Sequence, residues 1–455
     1  MKPNAFDDPS LKRSVLRQVI PAVATRMITL FHSLADTYIV GLLNAPVQTA
    51  AITVATAPAS ILSVVSGLFS VGGTTVIASY LGKKDISKVK AASSITFWCS
   101  IAFSILFSLV FALFAKPIMH LCGATAETYE QAYGYVKWVV IIGGPLTMAS
   151  GILAGLIRAE GGATASALGS MLSGFVNVIL NPFFTLPRFW GYGVIGAGIA
   201  TVLAQFVPLI FYLVYLFVKR NQTVLSLHLQ HLRHTFRHLW HILVVGFPSA
   251  VQYGLTVVAM TVQARFVAQY ETEAIAALGI VKRLDQLPLF FSYGIANGLL
   301  PLLAYHNAAG NHLRRKESFR FGCVLSLGFS LLCLVAYELF APHLVGLFIQ
   351  DPKTIAYGSD FLRIMVVAMP LMSLCYPMII QFQAMKKMKA SLVCSMLRKG
   401  VIDIPLFFLL DGLFALYGCM MVQPIVDGIA LIVAVVFYVR INRSLGLTPK
   451  KRIAN

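Results

Sequence analysis

The chain has 455 residues, of which 58% are hydrophobic and 12% charged, and its formal net charge is +19. A water-soluble chain carries about 25% charged residues, so half that figure leaves too little polar surface for a soluble particle, and the bilayer must solvate much of the chain. Cys99, Cys122, Cys323, Cys333, Cys375, Cys394 and Cys419 lie singly with no C-x-x-C, which argues against a disulfide framework or a zinc site.

The first dozen residues are polar and include Asp7 and Asp8. No cleavable leader is expected, and the first span directs insertion itself. Long apolar runs broken by polar clusters follow at about 14–42, 50–80, 91–117, 131–157, 164–187, 191–218, 240–268, 274–306, 317–341, 358–384, 391–417 and 419–441. With the N-terminus inside, the inward loops and both ends collect most of the 36 Lys and Arg, among them Lys83, Lys84, Lys88, Arg158, Arg220, Arg237, Arg314, Arg315, Lys386 and Lys387. The outward side holds only Lys116, Lys137, Arg188, Arg265, Lys353 and Arg363. This alternation is the positive-inside pattern. It supports twelve spans with both termini cytoplasmic, and it assigns the basic charge to topology and anionic lipid rather than to nucleic acid.

Between spans six and seven, His228, His231, His234, His238 and His241 recur at helical spacing beside Leu232, Phe236 and Leu239. The pattern predicts an amphipathic linker helix over 224–240 on the membrane surface, with a metal site or pH sensor as the sharper alternative. On either side, 1–223 and 241–455 form two six-span units. Pro21 in the first span and Pro248 in the seventh, Pro145 and Pro370, and the runs 71–85 and 297–311 are all offset by about 226 residues. Six is an even number, so both copies start on the same side, and the repeat is parallel with its pseudo-twofold axis along the membrane normal. The expected architecture is all-α: twelve transmembrane helices in two pseudo-symmetric six-helix bundles around a central cavity, the geometry of an alternating-access transporter. Prolines in most spans provide bending points.

Ionisable groups inside spans mark candidate sites. Asp36 lies in the middle of span one, too deep to snorkel, with His32 one turn earlier on the same face. It is able to exchange a proton or coordinate a cation; a structural ion pair with Arg26 is the competing reading. Spans five and six offer Asn177, Asn181, Thr201 and Gln205 at one-turn spacings, either as helix glue or as partners completing the site around Asp36. Gln252 and Thr256 of span seven are further polar positions. In the second half, Lys282, Arg283 and Asp285 of span eight and Arg398, Lys399 and Asp403 of span eleven, with Asp427 in span twelve, read as mutual neutralisation or as substrate contacts.

Several of these segments resemble one family. "ADTYIVGLL" in span one is similar to its D-T-x-x-V-G, and "VGGTTVIASYLGKKD" to its Gly-rich second span. "GLIRAEGGATAS", "NVILNPFF", "GAGIATVLAQ" and "GFPSA" match its later motifs in order and spacing. The family is multidrug and toxic compound extrusion (MATE), in its DinF-like and MepA-like bacterial branches. The resemblance implies an efflux antiporter of the cytoplasmic membrane that expels amphipathic, cationic compounds against H⁺ or Na⁺ without other cofactors, with coupling at Asp36, Asn177, Asn181 and Thr201. Asn181 stands where the family usually has Asp, and Thr256 where a Na⁺-type branch has Glu, which favours H⁺. A monomer is expected. Runners-up are a lipid-linked oligosaccharide flippase of the same superfamily and an integral-membrane enzyme. The first expects a basic cavity. The second expects a clustered catalytic constellation, which the spans lack, and no G-x-x-x-x-G-K-[ST] provides for ATP.

Overall fold

The computed structural model describes residues 6–43, 46–122, 125–267 and 269–445; Lys2, Lys450, Lys451 and Arg452 lie outside them. Among the described residues every regular element is a helix, with no strand, as backbone in hydrocarbon requires. In chain order the helices are α1 (Leu11–Gly41), α2 (Pro46–Gly82), α3 (Ile86–Leu113), α4 (Ala115–Leu121), α5 (Tyr129–Val136), α6 (Gly143–Ala159), α7 (Ala163–Thr185) and α8 (Gly193–Val218). They continue with α9 (Thr235–Val267), α10 (Thr272–Ala308), α11 (His312–Gly346), α12 (Pro352–Val366), α13 (Ala368–Ala384), α14 (Met388–Met396) and α15 (Asp403–Ser444). A π-helical turn joins α5 to α6, and another joins α14 to α15.

Among the described residues, nine helical runs are each long and apolar enough to cross a bilayer, and α12 with α13, bent by 43°, makes a tenth. One of the nine, Met388–Ser444, has 57 residues, about 85 Å of helix at 1.5 Å per residue and far more than one crossing needs. It breaks at Ala415, where φ is 50 and ψ −137, and so supplies two crossings. α1, with 31 residues, is long enough but more polar than the rest. Together these account for the twelve spans expected.

Two compact units divide the chain: one holds Ile20–Gly254, the other Asp8–Val19 with the described residues of Leu255–Asn455. Each boundary falls inside the first helix of a repeat, α1 in one case and α9 in the other. Within the first unit, α2 and α9 cross through two glycines. A Cβ on Gly72 would collide with the Ile242 carbonyl, and one on Gly246 with the Leu68 carbonyl. Close backbone approach of this kind is how membrane helices gain packing energy without a hydrophobic drive. Replacing Gly246 with Val forces the helices apart, and we expect a loss of about 3 kcal/mol or more, read as loss of the monodisperse peak in detergent chromatography. Within the second unit, a Cβ on Gly298 would press the backbone at Gln18 and Val19. The Arg314 guanidinium donates to the Asp8 carbonyl. These contacts fix the first turns of α1 there.

The linker differs from the expected single helix over 224–240. Residues 223–228 are extended, Leu229–His234 form a 3₁₀ turn, and α9 begins only at Thr235. The cause lies in α3. Ser93 Oγ donates to the Ser226 carbonyl at 3.0 Å, Trp98 Nε1 to Leu227 at 2.8 Å and Ser94 Oγ to His228 at 2.8 Å. These donors satisfy carbonyls that a helix would otherwise use. The histidines therefore do not form one stripe: His228 and His231 precede α9, His238 and His241 lie on it, and the His234 side chain is outside the described residues. Upstream, the Glu160 carboxylate accepts from Thr223 Oγ1 and the Val224 amide, each at 2.7 Å. Burial holds this carboxyl above the usual carboxylate range. Asp85 caps α3 through the Lys88 amide at 3.2 Å; the hydrogen bonds from Lys88 hold its carboxyl below the usual range. Glu160→Ala leaves the Val224 amide and the Thr223 hydroxyl without their acceptor, so we expect a loss of about 2 kcal/mol, measured as a lower unfolding temperature in detergent.

Candidate functional site

The spacing on α1 explains the first site. Ala22, Thr25, Arg26, Thr29 and His32 recur every three or four residues and so share one face, and that face lines a cavity of about 390 Å³ in the first unit. Opposite stand Ser66 and Ser70 of α2, Ser150 and Arg158 of α6, Ser166, Ser170 and Asn177 of α7, and Thr201, Gln205 and Tyr212 of α8. Tyr212 donates to the Ser166 carbonyl at 2.6 Å, and Ser150 Oγ donates to Gln205 Oε1 at 2.9 Å.

Asp36 sits one turn beyond this lining. His32 Nε2 lies 3.4 Å from its Oδ2, and Asn181 Nδ2 donates to its Oδ1 at 2.6 Å. Thr185 Oγ1 donates to Asn181 Oδ1 at 2.6 Å, which turns the amide so that its N–H faces the carboxylate. Asn177, one turn earlier on α7, donates to Thr201 Oγ1 at 3.1 Å, while its own Oδ1 is buried without a partner. The candidates Asp36, His32, Asn177, Asn181 and Thr201 thus meet across α1, α7 and α8. Arg26 is not the counter-ion of Asp36: it lies ten residues, about 15 Å, back along α1, and among the described residues His32 is the one basic group paired with this carboxylate.

The second unit gathers the other candidates. The helix breaks between α14 and α15, where Gly400 has φ 100, a left-handed conformation suited to glycine. The break turns Arg398 inward. Its Nε donates to Asp427 Oδ1 at 2.7 Å, with both side chains almost wholly buried, and its guanidinium stacks 3.8 Å from the Tyr376 ring centroid. Gln423 Nε2 donates to Asp427 Oδ2 at 2.7 Å, Lys399 Nζ donates to Gln423 Oε1 at 2.8 Å, and Lys399 also lies 3.8 Å from Asp403. Lys282, Asp285 and Thr256 face the same small cavity of about 40 Å³. Three basic and three acidic side chains gather here, so charge balances within the cluster. Gln252 is buried on α9 in the first unit and lines neither cavity.

Sequence spacing missed several members. Arg158, read as a loop charge, is part of α6 and lines the first cavity. Thr185, which orients Asn181, and Tyr376 and Gln423, which hold Arg398 and Asp427, gave no signal of their own. Only a helical projection of α7, with Thr185 one turn beyond Asn181, would have pointed to the first.

Two repeated all-α units with polar groups buried inside spans define a multi-pass membrane transporter. The MatE family model matches the chain twice, over residues 21–183 and 248–409, at the offset of the internal repeat. The chain belongs to this family, that of the MATE multidrug efflux transporters. The multidrug export protein MepA of Staphylococcus aureus (strain bovine RF122 / ET3-1) is 27% identical over 419 residues, covering 91% of this chain and 90% of MepA. Among solved structures, a MATE transporter in complex with MaD3S superposes with TM-score 0.91 at 22% identity, over 98% of this chain and 100% of that one. A MOP-superfamily transporter from Pyrococcus furiosus, described as having a binding pocket of reverse polarity that suggests a different function, gives TM-score 0.87 at 21% identity over 98% and 99%.

Proposed function

We propose that the chain is a proton-coupled exporter of amphipathic compounds, working as a monomer in the bacterial cytoplasmic membrane with both termini inside, and that Asp36 is its protonation switch. The observation that carries this reading is the setting of Asp36: a carboxylate within a span, faced by two nitrogens and, among the described residues, held by no arginine. A Na⁺ site needs several converging oxygens, as hard cations prefer. Here Asn181 presents its N–H, pinned by Thr185, so a proton suits the carboxylate better than a metal ion.

Ionised, Asp36 accepts from Asn181 and faces His32, which ties α1 to α7. Protonated, it gives up acceptor capacity, and the tie weakens. α1 has a point of give farther back along its length, about 22 Å from Asp36, where Pro21 interrupts its hydrogen-bond ladder and the Thr25 hydroxyl bonds the Pro21 carbonyl at 2.9 Å. Proton uptake would therefore let α1 repack, and the cavity beside it would change volume and expel its contents. Cationic cargo, which the family resemblance implies, would meet two guanidiniums in this cavity and one carboxylate beyond it. Amphipathic character is therefore the requirement we propose, without a need for positive charge.

The experiment is dye efflux from proteoliposomes under an imposed pH gradient or Na⁺ gradient. We expect the pH gradient to suffice. Drive by Na⁺ alone would sink the reading. A related outcome concerns Asn181→Asp, which places a second carboxylate and its oxygens against Asp36. Na⁺ should raise the unfolding temperature of this variant and leave that of the wild type unchanged.

A further inference from the structure

We infer that the first-unit cavity is a binding site for the anionic head group, phosphate or carboxylate, of an amphipathic ligand, held by Arg26 and Arg158. This rests on the transport reading above and names the cargo class that its cavity suits. Arg26 reaches the cavity from α1 and Arg158 from α6. Among the described residues neither guanidinium has an ion-pair partner, and Arg158 Nε is buried with no hydrogen bond at all. Both guanidiniums face the same cavity. Among the described residues no carboxylate lines the cavity; the other polar walls are hydroxyls and amides, with His32 at one end. Two like charges facing a shared space without a counter-ion are costly, and a bound anion relieves that cost through charge-assisted hydrogen bonds to the planar guanidinium fork. The hydroxyls of Ser70 and Ser166 stand in the same lining to complete the coordination.

A second space explains why the ligand is an amphipath and not a free inorganic ion. An apolar groove of about 460 Å³ lies between α1 and α7, walled by Phe31, Leu168, Leu172 and Phe175, and it shares Ile28, His32 and Gly174 with the polar cavity. A Cβ on Gly174 would stand 3.1 Å from Ile28 Cγ2, so the missing side chain keeps the wall between the two spaces thin. The head group occupies the cavity and the hydrocarbon tail the groove.

The test is calorimetric titration of the purified protein in phosphatidylcholine nanodiscs with hexyl phosphate, hexylammonium and inorganic phosphate. Hexyl phosphate should bind, inorganic phosphate more weakly, and hexylammonium not at this site. Arg158→Gln and Arg26→Gln should each weaken hexyl phosphate binding by about tenfold or more, and Arg158→Lys should recover part of the loss because it keeps the charge and loses the fork. Repeating the titration in nanodiscs containing phosphatidic acid separates the sources. Competition identifies the lipid head group as the natural occupant, and its absence identifies a free amphipath; both fit the inference. Wild-type preference for hexylammonium, or equal hexyl phosphate affinity in wild type and the double Gln variant, overturns it. An anion site that fails while proton-driven efflux persists therefore rejects this inference alone, and anion binding that persists while Asp36→Asn transports normally rejects the coupling scheme alone.

Discussion

Asp36→Asn should reduce pH-gradient-driven dye efflux from proteoliposomes to the level of liposomes without protein. The substitution keeps the size of the side chain and an acceptor oxygen for Asn181 but fixes the position in its neutral form, so the ability to gain and lose a proton is removed. A transporter that cycles one charge cannot complete its cycle with that charge fixed at zero, so the expected effect is loss of coupled flux, at least about a hundredfold, and not a shift in affinity. His32→Gln should have a smaller effect, about tenfold, because Asn181 continues to hold Asp36 in place. Efflux by Asp36→Asn equal to wild type would remove this carboxylate from the mechanism.

Asp427→Ala should destabilise the second unit by about 3–5 kcal/mol, because it strands the buried Arg398 charge. Arg398 is held by the bond from its Nε to Asp427 and by Tyr376, on whose ring it stacks; its Nη1 already lacks a partner. Removing Asp427 also takes the acceptor from Gln423 Nε2, which in turn loosens the Lys399 tether. The matched control is the double variant Arg398→Met with Asp427→Leu, which removes both charges and should restore most of the lost stability. Unfolding temperature in detergent reads both. A single variant as stable as wild type would show that the six-charge cluster is hydrated or rearranges freely, contrary to the dry network described here.

The part of the fold legible in the sequence was the part written in apolar runs and charge placement. Twelve crossings and a duplicated unit follow from span lengths, from Lys and Arg alternation and from an offset near 226 residues; the family model repeats at that offset. What the sequence could not show was pairing at a distance. Asp36 and Asn181 stand out singly as polar residues in apolar runs, yet the bond between them joins positions 145 residues apart. Arg398 and Asp427 are separated by 29 residues and a helix break at Gly400 that no propensity rule places there. Arg158 was misread because it lies two residues before Glu160-Gly161-Gly162, where the glycines signal a loop; the helix continues through it to Ala159. The histidine run was misread for the opposite reason. Its spacing is helical, but Ser93, Ser94 and Trp98 on α3 capture the backbone carbonyls of 226–228 and hold that part of the linker extended. In the linker, local pattern lost to tertiary hydrogen-bonding partners.

The most direct measurement is proton release on adding transported dye to purified protein in weakly buffered detergent solution. If loading the cavity and protonating the span-one carboxylate are mutually exclusive, wild-type protein releases protons in proportion to dye bound, the release fades at high pH, and Asp36→Asn, fixed in the neutral form, releases none and binds dye more weakly. Equal release from the variant, or saturable dye binding with no release at any pH, would contradict the account.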